Sequence, residues 1–513
     1  MPPEMTAMVT FKIALGVLFK VRCNGLDSFL IQKTQPTYMF CRVHQHFIFP
    51  TDLIDILFTT KPVWKLNMIR SIIYLTLLVC STMTLPLANS QETNHHWSQF
   101  RGLDGSGIAE PNARPPVEFE VSKQTVWETE IPGTGWSSPV YTGNKVWLTT
   151  SISSAASPAE IAEKLKGDRL AQIKTIASSV ELHAICIDLN NGKIIHDVIL
   201  RKIESPEPIN PMNSYASPTP AIKDGKVIFH FGNYGTWCVD ESTGEVIWER
   251  KFVVKHSVGP GSSPVVFNDK VIIVCDGTDL QYIVAVELNT GKDVWKTDRP
   301  PIRASDGEYR KAYCTPIIIG VDGTQQAVVP GAQWVAGYNP DTGEELWRAD
   351  HGSGFSITPM PAYQSGLVVF STGYMKSFLV AVDPTGRGDI TETGITWRSQ
   401  PKKAPNMPSL IGHNGKIYAI SDRGILRVLE AATGKVLNEQ RIGGNFSSSP
   451  LLAGDNLYLS SREGLMTVVS CSADLSKIAT NKFESSLMAS PILVGDDLLV
   501  RTEKKLIRIQ NEK

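Results

Sequence analysis

Eight times between Trp136 and the C-terminus the chain writes a short signal of small residues and proline, closing on Pro139, Pro218, Pro264, Pro316, Pro359, Pro408, Pro450 and Pro491. After a first interval lengthened by an insertion, successive signals lie 46, 52, 43, 49, 42 and 41 residues apart. A unit of that length cannot bury its apolar face alone and must stack on its neighbours, and a period in this range marks a β-propeller.

Within each unit the order repeats: a short apolar strand, a Gly/Asn/Asp turn, a second strand, a loop, a third strand, a tight turn and a fourth strand. The clearest copies of the last turn are Asp240-Glu-Ser-Thr-Gly244-Glu-Val-Ile-Trp248, Glu287-Leu-Asn-Thr-Gly291-Lys-Asp-Val-Trp295 and Asn339-Pro-Asp-Thr-Gly343-Glu-Glu-Leu-Trp347. Weaker copies run from Asp188 to His196 with Gly192, from Glu430 to Asn438 with Gly434, and from Ser472 to Thr480. In the fifth unit Asp383-Pro-Thr-Gly386 precedes a longer hairpin before Trp397. The acidic or amide residue caps the turn and glycine takes a positive φ. The tryptophan then lies on the outermost strand, where burying its ring against the next blade removes roughly 150–250 Å² from water. Trp127, Trp248, Trp295, Trp347 and Trp397, with Gly244, Gly291 and Gly343, are therefore the expected blade-docking residues.

This turn, together with Trp97-Ser-Gln-Phe-Arg101-Gly-Leu-Asp-Gly, resembles the repeat of the pyrroloquinoline-quinone-like (PQQ-like) propeller family. That family includes quinoprotein dehydrogenases and BamB, the non-enzymatic propeller subunit of the bacterial outer-membrane assembly machine. The resemblance covers about residues 97 to 511 and implies an all-β, eight-bladed propeller of four-stranded antiparallel blades.

From Pro491 the last unit has only three strands' worth of sequence, Ile492 to Val494, Leu498 to Thr502 and Leu506 to Gln510. An orphan strand, Val126 to Ile131, stands before the first unit. We expect it to complete the C-terminal blade, so that neither sheet edge stays open. The domains then read as a lead-in over 91–125 and a propeller over 126–513, with a helical insertion at 151–180 whose charged segments Ala159 to Lys166 and Arg169 to Lys174 have amphipathic spacing.

A net charge of −1 gives no pull toward nucleic acid. Residues 68–90 have a basic start, an apolar run through Cys80, and Ala88 and Ser90 at −3 and −1, the pattern of a secretory signal peptide. Residues 1–67 show no clear element, and Met68 is read as the initiator, leaving 1–67 as an upstream extension. The apolar stretch from Ser71 to Leu87 is short for a membrane span. The mature chain is expected to be monomeric, without a transmembrane span, and exported to the periplasm, outer membrane or exterior.

Beyond residue 90 the cysteines are Cys186, Cys238, Cys275, Cys314 and Cys471, an odd set flanked by strand-like residues, with no zinc or redox spacing. Quinoprotein dehydrogenases, as the resemblance implies, bind the quinone beside a disulfide of adjacent cysteines, with calcium and an aspartate base; no Cys-Cys occurs here. Asp276 and Asp422 are candidate carboxylates in ordinary turn contexts. No catalytic residue or metal ligand set is assigned, and the histidines lack ligand spacing. No cofactor is expected; PQQ and calcium belong to the dehydrogenase alternative.

The longest loops, Ser151 to Val180, Arg201 to Ser214 and Asp298 to Tyr313, all fall between blades or between second and third strands, which emerge on one face. Loops on a rigid scaffold commonly carry binding. The expected partner-binding residues are Trp136, Tyr215, Asn233, Arg303, Arg310, Tyr313, Trp334, Asp422 and Arg462. The function expected is an exported scaffold recognising a protein or other ligand in the cell envelope; the alternative is a PQQ-dependent alcohol or sugar dehydrogenase.

Overall fold

The computed structural model describes residues 8–12, 18–22, 96–374, 376–472 and 474–512. The chain divides into two units, Met1–Asn89 and Ser90–Lys513. In the first, Met8–Lys12 pairs antiparallel with Leu18–Arg22, a hairpin that the sequence reading did not anticipate. The expected signal peptide at 68–90 and the start at Met68 lie outside the described residues.

In the second unit eight sheets, each with four antiparallel strands, form the eight-bladed propeller. Blade one is built from Val140–Thr142, Lys145–Ala155, Ala177–Asp188 and Ile194–Glu204. The innermost strands of blades two to seven begin at Ala221, Val265, Ile317, Ala362, Ile411 and Leu451. Blade eight takes Ile492–Val494, Asp497–Arg501 and Lys505–Ile509 from the C-terminal region and Thr125–Glu130 as its fourth strand, with Trp127 opposite Arg508. The orphan strand does close the ring.

Inner strands such as Lys226–His230 are buried along nearly their whole length, because each blade is covered on both faces by its neighbours. Outer strands alternate: in Val246–Arg250 only Trp248 is buried. Its indole lies on the turn glycine of the next blade. A Cβ on Gly291 would stand 2.8 Å from the Trp248 ring, and one on Gly192 would stand 2.8 Å from Trp127. Trp295 covers Gly343 and Trp397 covers Gly434 in the same way, while His196 takes the place of tryptophan over Gly244.

Trp347 shares a buried cluster with Val368, Phe370 and Ile390 of blade five but makes its polar contact by a different route. It is fully buried on Gly337 of its own blade, and its Nε1 donates to Gln326 Oε1 at 2.6 Å. Gln326 Nε2 in turn donates to the Pro384 carbonyl of blade five at 3.2 Å, so the amide makes the cross-blade bond that an indole makes elsewhere. The cause lies in the longer hairpin of blade five. There Gly386 faces Ile390, and Gly388–Asp389 adds a fifth, parallel strand beside Trp347–Arg348.

The insertion in blade one is narrower than 151–180, because both flanking strands extend into it and leave only 156–176 outside the sheet. A helix covers Pro158–Lys164, with a capping box between Ser157 and Glu160, and Ala171–Ile173 is a 3-10 turn instead of a second helical stretch. The lead-in crosses the axis. Trp97 pairs with Tyr141, Ile222 N–H donates to Ser98 O at 2.6 Å, and Arg101 donates to the carbonyls of Leu410 (2.6 Å) and Pro450 (3.2 Å). One short segment thus ties blades one, two, six and seven together.

Candidate functional site: the axial cavity and its loop-rich mouth

The residue just before each innermost strand is Pro139, Pro220, Pro264, Pro316, Pro361, Leu410, Pro450 and Pro491. The sequence register at Pro218, Pro359 and Pro408 was therefore two residues early. With the register corrected, backbone alternation sorts the preceding residues into two layers around the axis. The lower layer is Ser138, Thr219, Ser263 and Thr315 on blades one to four, Met360 on blade five, and Ser409, Ser449 and Ser490 on blades six to eight. Backbone N–H groups link it from blade to blade: Ser138 donates to Thr219 Oγ1, Thr219 to Ser263 Oγ and Ser263 to Thr315 Oγ1, each at 2.9 Å. The chain of bonds resumes from Met360 to Ser409 (3.0 Å), Ser409 to Ser449 (3.1 Å) and Ser449 to Ser490 (2.9 Å).

Two residues earlier in each unit, the upper layer places Trp136, Tyr313, Met407 and Met488 among smaller side chains. Both layers line a cavity of about 640 Å³, apart from Met360. Phe100 of the lead-in also lines it, as do Arg169, Leu170 and Ile173 of the insertion. The mouth is bounded by Met212 from the loop between blades one and two, and by Tyr309, Phe355 and Tyr374. Arg169 holds the insertion to the opposite loop through an ion pair with Asp306 and lies 6.0 Å from the centre of the Tyr309 ring.

Of the expected partner-binding residues, Trp136 and Tyr313 line the cavity. Tyr313 O–H donates to His256 O at 2.5 Å, and burial raises its pKa well above the usual tyrosine value. Asp422 stands behind the wall, accepting from Asn406 N–H (2.8 Å) and Met407 N–H (3.1 Å); burial raises its pKa while these bonds oppose the rise. Arg462 reaches Met212 Sδ at 3.0 Å. The other five do not line it. Tyr215 packs against Tyr234 and donates to Glu207 O at 2.9 Å, and Asn233 sits in a 3-10 turn. Arg303 pairs with Asp350, Arg310 donates to Ala304 O at 2.6 Å, and Trp334 donates to Pro301 O at 2.9 Å. These three brace the 298–313 loop.

Lys311 and Glu308 of the 298–313 loop were not among the expected binding residues, yet they form an ion pair that lines the cavity, the lysine buried and the carboxylate half-buried. Burial lowers the Lys311 pKa against the pull of Glu308, whose carboxyl is held low, despite burial, by Lys311 and Ser257. Sequence reasoning missed Met407 and Met488, although their place two residues before the ring serines would have marked them.

The family profile described as outer membrane protein assembly factor BamB matches residues 118–298 and again 279–513. The chain belongs to this family. The two matches, each about half of the ring, fall on a BamB-family propeller without a break between halves. BamB of Legionella pneumophila (strain Paris) is 25% identical over 215 residues, 41% of this chain and 51% of that protein, so the match spans about half the length of this curated relative. BamB of Moranella endobia (strain PCIT) is 21% identical over 383 residues, 72% of this chain and 88% of that protein. Among solved structures, the quinohemoprotein alcohol dehydrogenase of Comamonas testosteroni superposes with a TM-score of 0.53 at 13% identity, over 81% of this chain and 80% of that one, a likeness of fold alone.

A calcium ion takes six to eight oxygen ligands, commonly several carboxylates. Among the described lining residues Glu308 is the one carboxylate, already engaged by Lys311 and Ser257, and no group of three His, Cys, Asp or Glu among the described residues could hold a metal. This donor set does not fit a calcium ion.

Proposed function

We propose that the protein is an exported propeller scaffold of the bacterial cell envelope that captures a protein partner on its loop-rich face. One observation carries the reading: at the cavity mouth Met212, Ile173, Tyr309 and Tyr374 are 42%, 41%, 42% and 37% exposed, a rim of large apolar side chains on one end of the ring. Exposed apolar clusters with polar surroundings mark interaction sites. Names of relatives such as outer membrane protein assembly factor support a role in envelope assembly. No helix among the described residues is long and apolar enough to cross a membrane.

A photo-crosslinker at Tyr309 is expected to trap a discrete envelope protein in living cells, and one at Leu103, exposed on the lead-in, is not. Equal trapping at both positions would refute the assignment of the face. The dehydrogenase alternative is separated by adding the quinone and calcium to purified protein, where we expect no dye-linked alcohol or sugar oxidation.

A further inference from the structure

The floor of the axial cavity is rich in hydrogen-bond donors that the protein does not use. Thr219, Ser263, Thr315, Ser409 and Ser490 each accept a backbone N–H through the side-chain oxygen. Among the described residues none of the five donates its own O–H to a protein acceptor. Ser138 would join the two runs of bonds by accepting from Ser490, but its Oγ makes no hydrogen bond although the atom is buried. Trp136 Nε1, one layer above on the same blade, is likewise buried and unpartnered. Buried polar atoms without partners are rare in native proteins, and each asks for an explanation.

Positive charge stands directly behind this ring. Arg501 donates to the carbonyl (3.0 Å) and hydroxyl (2.6 Å) of Ser137, the residue before Ser138. Arg101 donates to the carbonyls of Leu410 and Pro450, the residues after Ser409 and Ser449. Both guanidinium groups are almost fully buried; the carboxylate of Asp104 is near enough to Arg101 to oppose the effect of burial, and Arg501 has no such neighbour among the described residues. Burial lowers each pKa to about 9, which leaves both charged at neutral pH. The one lining carboxylate, Glu308, is engaged by Lys311. Above the floor Met212, Met407, Met488, Val258 and Phe355 line the wall among the polar Arg169, Asn210 and Asn213. Methionine side chains adapt to guests of varied shape.

We propose that the axial cavity binds an amphiphile with a carboxylate head and an unbranched apolar tail. The head lies at the hydroxyl ring beside Trp136 and Ser138, and the tail runs among the methionines toward the mouth. A carboxylate only accepts hydrogen bonds, which suits a floor where several hydroxyl donors are unused, the Ser449 O–H being spent on Ser409 Oγ at 3.0 Å, and its charge offsets the guanidinium groups behind the ring. A neutral head brings those cations no counter-charge, and a cationic head is repelled. The cavity volume is in the range of small-molecule sites, roughly 300–1,000 Å³. The proposal goes beyond partner capture and does not depend on it.

The test titrates the purified full chain by calorimetry with decanoate, decanol and decyltrimethylammonium, all below their micelle concentrations. Decanoate is expected to bind with one site per chain, and the other two more weakly. Ser138→Ala and Trp136→Phe are each expected to weaken decanoate binding about tenfold, the worth of a hydrogen bond to a charged group. The melting temperature should hardly move, since neither group bonds within the protein. Failure of decanoate to bind, equal binding of the three probes, or full affinity in both variants would overturn the proposal, and none of these outcomes bears on capture at Tyr309.

Discussion

The indole N–H of Trp127 donates to the carbonyl of Leu189 at 2.8 Å, across the seam where the last blade meets the first. The same bond recurs from Trp248 to Leu288 (2.9 Å), Trp295 to Pro340 (3.1 Å) and Trp397 to Ala431 (2.9 Å). Each accepting carbonyl belongs to the residue after the turn's capping position, so one contact fastens four junctions by a shared geometry.

The turn glycine beneath the ring is expected to tolerate no side chain. Gly192 has φ +74° and faces Trp127, whereas Gly225 has φ +71° and faces open space. Gly225→Ala should cost about 1–2 kcal/mol for the backbone alone, and Gly192→Ala about 2–4 kcal/mol once overpacking is added. Urea midpoints compare the two; equal losses would separate the indole from ring closure.

At the blade four to five junction the indole acts through an intermediary. Trp347→Phe keeps the apolar ring but leaves Gln326 Oε1 buried without its donor. We expect a loss of about 1–3 kcal/mol. Adding Gln326→Leu should recover part of it, because both halves of the buried polar pair are then gone.

Stability should fall in mild acid. Burial lowers the pKa of His230 to about 3 and those of His256 and His351 to about 4. The unfolded chain takes up these protons near pH 6.5. A folded pKa below the unfolded one means that the stabilisation is complete above about pH 6.5 and is lost as the pH falls toward 4, at about 1.4 kcal/mol per pH unit for each histidine. Asp276 works in the opposite sense. Its pKa is raised to about 6 by burial that Arg299 partly offsets, so the folded protein holds an extra proton and gains stability as the pH falls from about 6 to 4. Asp422 and Glu207, whose pKa values burial also raises, act in the same sense as Asp276; the slope below pH 6 should fall by about one proton in His256→Gln, read from urea midpoints at pH 7.5, 6 and 5.

The roof of the cavity is held by few contacts. The helix Pro158–Lys164 buries no residue, and Arg169 is the insertion's ion pair to the 298–313 loop. Exposed ion pairs contribute about 0–1 kcal/mol. Arg169→Ala should therefore raise hydrogen exchange over 156–176 while leaving the global unfolding midpoint in place.

The blade count, the closing strand and most docking indoles were legible in the sequence, because each rests on local turn chemistry repeated in register. The different hydrogen bond of Trp347 was not legible, because its turn keeps the shared Thr-Gly-x-x-x-Trp frame, while its contact depends on Gln326 and on the next blade's longer hairpin, neither of which the motif contains. The cavity was half legible. Trp136 and Tyr313 were among the expected residues, but Met407 and Met488 were not: a two-residue error at Pro408 blurred the alternation at Met407, and at Met488, where the register at Pro491 was right, the alternation was not used. Arg303, Arg310 and Trp334 show how a charged or aromatic loop residue is spent within its own loop, which no spacing rule reveals.

Lys505 meets Glu128 across 377 positions of chain. During synthesis seven sheets can assemble as they leave the ribosome, but the strand Thr125–Glu130 must wait for the final three to be translated. Until then it is an unsatisfied sticky edge, as is the exposed flank of blade one that Trp127 will cover. At roughly 5–20 residues per second that interval lasts about 20–75 s, long enough for a chaperone to decide whether the circle ever closes.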